Sequence, residues 1–249
     1  MLKKLLMSSV LCASSFSGVA NAMPITVDLE LQLLADVSGS VNLTEYNLQL
    51  EGYSSAFRSS SVIDSILAGT IGSIAVQYIE WSGSAQQAVQ VDWMLIDSAV
   101  SSIAFADLLD ATTRSFSGST AIGSAIDFGD DLFFNNNYEA ARQVMDVSGD
   151  GTQNDGSDTS DARDAALALG VDTINGITIG GTSGLEDFYT NNVIGGVNPF
   201  QLHADTFGDF EAGIEAKLIR EIGPNPIPEP ASIALLGLGL LGLGFRRKA

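Results

Sequence analysis

The sequence holds very few of the side chains that most often carry chemistry. Its one cysteine, Cys12, and its one histidine, His203, exclude an internal disulfide framework and a zinc site built from thiolates and imidazoles, each of which needs several such residues. A serine triad would have to use His203. That residue lies in a strand-like run between Leu202 and Ala204, far along the chain from any candidate nucleophile, so a structural histidine is expected. There is no G-x-S-x-G elbow, no P-loop and no repeat at solenoid or propeller periods. These absences argue against a hydrolase or nucleotidase, and a non-enzymatic protein is expected. Basic residues are scarce too: 11 Lys and Arg stand against 30 Asp and Glu, a formal charge of −19. Such acidity repels nucleic acid and anionic membrane surfaces and favours solubility and divalent cations. The acids are scattered rather than blocked, so most read as solvated surface.

What is present suits one sizeable domain: 249 residues, 45% of them hydrophobic. Residues 1–22 carry Lys3 and Lys4, an apolar run and the small-residue site Ala20-Asn21-Ala22, the pattern of a secretory signal peptide. The mature chain is expected to begin near Met23. Leu11 departs from the small residue that a lipoprotein signal needs before its cysteine, so lipidation of Cys12 is not expected. Residues 25–35 read as one strand, alternating at first and apolar on both faces at its far end. Asn42 with Glu45 marks a helix start, and Tyr46, Leu50, Tyr53 and Phe57 form a core-facing stripe. Residues 73–82 and 88–94 read as a hairpin, which places one antiparallel strand at a sheet edge. Helical patterns cover 103–109, 120–134, 161–169 and 207–222, with a short helix or loop at 185–193. Strands are expected at 142–148, 173–179 and 200–204. Strand and helix alternate as in a doubly wound sheet.

The most informative stretch runs from Leu31 to Ser40, where an apolar strand ends in Asp36-Val-Ser38-Gly-Ser40. Three oxygen-bearing side chains spaced by two aim at one point as the chain turns off the strand, and they suit Mg2+, Mn2+ or Ca2+ rather than a soft metal. This D-x-S-x-S pattern resembles the metal-ion-dependent adhesion site (MIDAS) of von Willebrand factor A (VWA) domains. Gly118-Ser-Thr120-Ala-Ile-Gly123 is similar to that family's G-x-T-x-x-G loop, and the run from Val144 to Gly151 to its strand ending in Asp-Gly. Asp-Val-Ser-Gly-Ser, Val-Ser-Gly-Asp-Gly and Thr-Ile-Asn-Gly-Ile further resemble a secreted bacterial branch of VWA-like proteins.

The resemblance implies an α/β fold of VWA type, with a mostly parallel sheet, one antiparallel edge strand and helices on both faces. It implies one divalent-cation site of Asp36, Ser38, Ser40, Thr120 and Asp150, holding Mg2+ or else Mn2+ or Ca2+. An acidic side chain of a protein or matrix ligand would fill the open coordination position. Asp146 is placed behind these ligands as an acceptor, and Asn154, Asp155 and Asp158 weakly suggest a second cation. The run from Asp146 to Gly151 also mimics the opening of an EF-hand loop. Its twelfth position is Ser157, where a bidentate Glu is required.

The chain closes differently. After the linker Gly223-Pro-Asn-Pro-Ile227 come Pro228-Glu229-Pro230, an apolar run and Arg246-Arg-Lys248. The apolar span from Ala231 to Phe245 makes about 22 Å of helix, short of a bilayer crossing unless its flanks contribute. An ordinary membrane anchor oriented by its basic end is one reading. The pattern resembles the PEP-CTERM sorting tail of Gram-negative bacteria. By that resemblance the tail associates transiently with the membrane, an exosortase cuts near Pro-Glu-Pro, and the protein reaches the envelope or extracellular matrix. The expected organisation is a signal peptide at 1–22, the domain at 23–222, and linker with sorting tail at 223–249. The expected function is metal-dependent adhesion. The alternative is an enzyme or assembly subunit in exopolysaccharide or biofilm-matrix production.

Overall fold

The computed structural model describes residues 23–181 and 183–223. Its strands are β1 (Ile25–Val27), β2 (Leu29–Asp36), β3 (Ile74–Trp81), β4 (Gln87–Ile96), β5 (Tyr138–Ala140), β6 (Gln143–Gly149), β7 (Thr173–Ile179), β8 (Gly195–Gly196) and β9 (Gln201–Ala204). Its α-helices are α1 (Leu43–Arg58), α2 (Ser60–Leu67), α3 (Ala99–Asp110), α4 (Ile122–Asp130), α5 (Thr159–Leu169), α6 (Ser183–Phe188) and α7 (Phe210–Ile222).

The main sheet has the order β4-β3-β2-β6-β7, with β8 and β9 both along the outer edge of β7. β2 pairs in parallel with β3 and β6, and β7 in parallel with β6 and β9; β4 returns antiparallel to β3 as the expected hairpin. The two-residue β8 adds a second, very short antiparallel pairing. One apolar layer packs Leu31, Leu33, Val76 and Tyr78 against Tyr53, Phe57, Phe105 and Phe210 from α1, α3 and α7. The other packs Leu34, Ile79 and Val147 against Ile122 and Ile126 of α4, Ala162 of α5 and Tyr189. Helices therefore cover both faces, and the site-bearing strand β2 lies at the centre.

Three departures from the sequence reading have local causes. The single strand expected over 25–35 breaks at Asp28, whose carboxylate accepts from the N–H groups of Ile71 at 3.0 Å and Gly72 at 2.7 Å. This turns β1 away to pair with β5. β2 is buried at every position, so the alternation of Glu30 and Gln32 does not mark a solvent face. Gln32 Nε2 is instead satisfied by Gln77 Oε1 and the Gly129 carbonyl, both at 2.9 Å. The helix expected over 120–134 is shorter: α4 gives way to a 3-10 turn at Asp131–Asn135. The Asn42 cap is as expected, its Oδ1 accepting from Thr44 and Glu45 N–H while Glu45 Oε2 accepts from Asn42 N–H. Among the described residues no helix is long and apolar enough to cross a membrane. The expected signal segment and the apolar tail lie outside the described residues.

Candidate metal centre

Asp36 ends β2 at the carboxyl edge of the parallel sheet, and Asp150 directly follows β6, its neighbour. Ligands of open α/β sheets bind at this edge. The turn after β2 is drawn tight by Asp36 itself, whose Oδ1 accepts from the Ser38 N–H at 2.7 Å. Ser38 Oγ lies 3.1 Å from Ser40 Oγ, Ser40 Oγ donates to Asp150 Oδ1 at 2.6 Å, and Thr120 Oγ1 lies 3.4 Å from Ser38 Oγ. All five residues singled out in the sequence thus meet in one hydrogen-bonded chain. Asp36 and Ser38 are fully buried and Thr120 nearly so, while Ser40 lies at the surface.

Neighbouring groups hold these loops in place. Arg114 donates through Nη2 to the carbonyls of Val37 at 2.8 Å and Ser38 at 2.7 Å. Gly39 N–H donates to the Gly118 carbonyl at 2.8 Å, joining the first loop to the second. Asn154 fixes Thr120 from both sides, its Oδ1 accepting from Thr120 N–H and its own N–H donating to the Thr120 carbonyl, each at 2.9 Å. Thr120 precedes α4 rather than capping it, since the residue at the cap position is Ala121. Gly149 is demanded by crowding: a Cβ there would sit 2.6 Å from Tyr189 Oη and 3.0 Å from Asp36 Oδ2. Both oxygens are buried, and neither has a hydrogen-bond partner among the described residues.

The electrostatics favour a cation. Burial pushes the Asp36 carboxyl up to about 7, and the negative charge of Asp150 adds to it. Asp150 is raised as well, chiefly by burial, with the Ser40 hydrogen bond working against it and Glu45 with it. No basic side chain among the described residues forms an ion pair with either. A buried, unpartnered carboxylate oxygen beside hydroxyls is the donor set of a hard divalent cation, so the residues present fit the implied metal. No three His, Cys, Asp or Glu side chains converge among the described residues. A cation here therefore depends on the serine and threonine hydroxyls.

The sequence pattern of a family described as "Protein of unknown function (DUF1194)" matches residues 26–226. The chain belongs to that family. Residues 226–248 of this DUF1194 protein match the PEP-CTERM protein-sorting motif, so the chain joins the DUF1194 domain to a sorting motif. No curated protein matches it by sequence. Solved structures share its fold, the following three among them. Proximal thread matrix protein 1 from the mussel byssus, solved with a zinc-occupied MIDAS motif, superposes with a TM-score of 0.58 at 15% identity over 80% of this chain and 48% of its own. The pilus adhesin SpaC from Lactobacillus rhamnosus GG gives 0.56 at 14% identity, over 79% and 30%. A von Willebrand factor type A protein from Catenulispora acidiphila gives 0.55 at 14%, over 80% and 44%. The DUF1194 chain spans about half the length of the mussel protein and less of the other two.

One expectation fails within this DUF1194 domain. Asp146 does not stand behind the metal ligands. It faces the α7 side of the sheet, where its Oδ1 pairs with Lys217 Nζ at 2.6 Å. Near the weakly indicated second cation site, the loop's own hydrogen bonds use several of the oxygens. Asn154 holds Thr120, Asp155 Oδ2 accepts from Ser84 N–H at 2.9 Å, and Asp158 Oδ1 caps α5 through Ser160 and Asp161 N–H. Arg114 and Tyr189 went unrecognised in the sequence. Between residues 23 and 222 only six basic side chains remain, Arg58, Arg114, Arg142, Arg163, Lys217 and Arg220. That scarcity is the one signal that marks Arg114. Nothing in the sequence singles out Tyr189.

Proposed function

We propose that the protein is an exported, non-enzymatic adhesion module that binds a protein or matrix ligand through a divalent cation held by Asp36, Ser38, Ser40, Thr120 and Asp150. The observation that carries this reading is the hydrogen-bonded chain through the Thr120, Ser38, Ser40 and Asp150 side chains, joined to the Asp36 carboxylate through the Ser38 N–H, with the fully buried Asp36 Oδ2 left without a partner beside it. A bound cation would neutralise the two carboxylates and offer an open position to an acidic side chain of the partner. The chain's own part is to hold the loops rigid through Arg114 and Asn154 and to exclude water from Asp36 by burial. Mg2+ suits two carboxylates with several waters. The zinc in the mussel relative's motif makes Zn2+ a second ion to test.

His203 supports a non-catalytic reading. Its Nδ1 lies 2.9 Å from Thr178 Oγ1 and its Nε2 3.5 Å from Asp205, a nucleophile-like pairing. Thr178 is fully buried within β7, leaving its hydroxyl no room to meet a substrate.

The test is calorimetric titration of the full chain with Mg2+, Mn2+, Ca2+ and Zn2+, with and without an acidic peptide. The absence of any binding up to millimolar metal would defeat the reading. Export is checked separately by mass spectrometry of protein recovered from the envelope or matrix. It should start near Met23 and lack everything after Pro228-Glu229-Pro230; intact Arg246-Arg247-Lys248 would contradict this.

A further inference from the structure

At the opposite pole of the sheet from the candidate metal centre, a cavity of about 610 Å3 lies between the amino-terminal end of β2 and the segment linking α4 to β6. Glu30 of β2 lines it and is fully buried. Its Oε2 accepts from Asn136 Nδ2 at 2.5 Å, whereas Oε1 has no hydrogen-bond partner among the described residues. Burial raises the Glu30 carboxyl and the charge of Glu139 adds to the shift, while Asn136, the Gln143 side chain and the Ala140 N–H oppose it. Glu139 brings a second carboxylate, Asn135 and Asn137 bring amides, and Phe134, 47% exposed, brings an aromatic ring to the lining. No Lys or Arg lines the cavity. Asn137 takes a left-handed turn with φ of 65°, and its carbonyl accepts from Ile25 N–H at 2.9 Å, tying β1 to the cavity wall. Asn tolerates that conformation better than other side chains.

A buried carboxylate is stable only when paired or fully hydrogen-bonded, and this cavity offers no cation of its own. We propose that it binds an alkylammonium group, the chemistry shared by a diamine and a lysine side chain, with Glu30 as the counter-ion. The ligand's N–H groups reach Glu30 Oε1 and the asparagine amide oxygens, and aromatic rings attract organic cations through their negative faces. An anion is repelled by Glu30 and Glu139. A polyol leaves the buried charge uncompensated, and the Ca2+ arm of the experiment below separates a metal ion from an amine. The volume falls in the range of small-molecule sites.

The experiment titrates the full chain with 1,5-diaminopentane, Nα-acetyl-lysine amide, 1,5-pentanediol and CaCl2, following the amides of Asn135, Asn136 and Asn137 by NMR. At least one amine should shift them with a dissociation constant on the order of 1–10 mM. The diamine alone would identify a polyamine as the source, and the lysine amide a protein. Glu30→Gln should weaken that binding at least about tenfold while leaving Mg2+ titration at the far pole unchanged. If Glu30→Gln does not fold, Glu139→Gln should weaken the amine about threefold by removing the second charge. Silence from both amines, equal shifts from pentanediol or Ca2+, or unchanged amine binding in the folded variant each overturns the proposal.

Discussion

Two pairs of acids lie buried or half-buried along the same sheet, and they are completed differently. Asp146 and Glu221 share Lys217, whose Nζ lies 2.6 Å from one and 2.5 Å from the other, all three side chains being inaccessible to solvent. Asn175 adds a hydrogen bond to Glu221 at 2.8 Å. Asp36 and Asp150 have hydroxyls around them and no ion-pair partner among the described residues. The nearest guanidinium, Arg114, donates to the backbone carbonyls of Val37, Ser38 and Phe116 instead. The first pair carries its cation in the sequence and serves folding. The second, on our reading, takes its cation from solution and serves binding.

The strongest test removes the built-in cation. Lys217→Met should strand two buried acids and cost about 3–5 kcal/mol, read by urea unfolding. Adding Asp146→Asn and Glu221→Gln should recover much of that loss. A Lys217→Met variant as stable as the parent would erase the contrast.

The complementary change, Asp36→Ala, should abolish calorimetric metal binding and leave the circular dichroism spectrum folded. In the parent, saturating metal should add about 1–3 kcal/mol. In EDTA the variant should melt a few degrees higher than the parent, about 1 kcal/mol in stability, because the burial cost of a carboxylate whose Oδ2 has no partner outweighs its one bond to the Ser38 N–H. A variant that unfolds in EDTA would make the site structural and collapse the distinction between the two pairs.

The pH dependence of the metal-free chain sharpens the comparison further. Burial raises Asp36 and Glu221 to about 7 and Asp130 to about 6. In the unfolded chain these groups titrate near the ordinary carboxyl value, about 4. The folded state then binds more protons across this window, so its stability is fullest below about pH 4 as far as these groups go, and is lost as the pH climbs to 7. In EDTA the melting temperature should fall by about 5 °C or more between pH 5 and pH 7.5. Saturating Mg2+ should flatten the part due to Asp36 and leave the part due to Glu221. An identical profile with and without Mg2+ would contradict the assignment of Asp36 as a ligand.

The smallest expected effect belongs to Tyr189→Phe. Tyr189 Oη and Asp36 Oδ2 both crowd the space beside Gly149, so removing this unpartnered hydroxyl should change metal affinity by only about two- to fivefold, less than the effect of losing a group hydrogen-bonded to a ligand, without unfolding the chain. No change in affinity would show that Tyr189 serves packing alone.

Much of this protein was legible in one dimension because its signals are local. The apolar run from Leu31 to Ala35, the Asn42–Glu45 cap and the stripe of Tyr46, Leu50, Tyr53 and Phe57 depend on spacing along one element, and each lies where the sequence places it. So do the hairpin of β3 and β4 and the order of the strands and helices that were expected, whereas α2, β5 and β8 carry no comparable local pattern and went unread. The five oxygen donors were readable for the same reason, since each lies beside a strand end or helix start with a recognisable neighbourhood. Which acids receive a partner was not readable, because that depends on the sheet face to which a side chain points and on what packs there from far away. Asp146 meets Lys217 across 71 positions of chain. Glu30 and Gln32 look solvent-facing by alternation, but the end of α4 covers Gln32 and the segment after it covers Glu30. Asp28 breaks a strand by accepting N–H groups more than forty residues away. Sequence alone determined most of the main elements and which oxygens gather at the carboxyl edge; only the tertiary structure decided which buried charges are neutralised from within, because charge pairing acts through space and the chain's order does not record it.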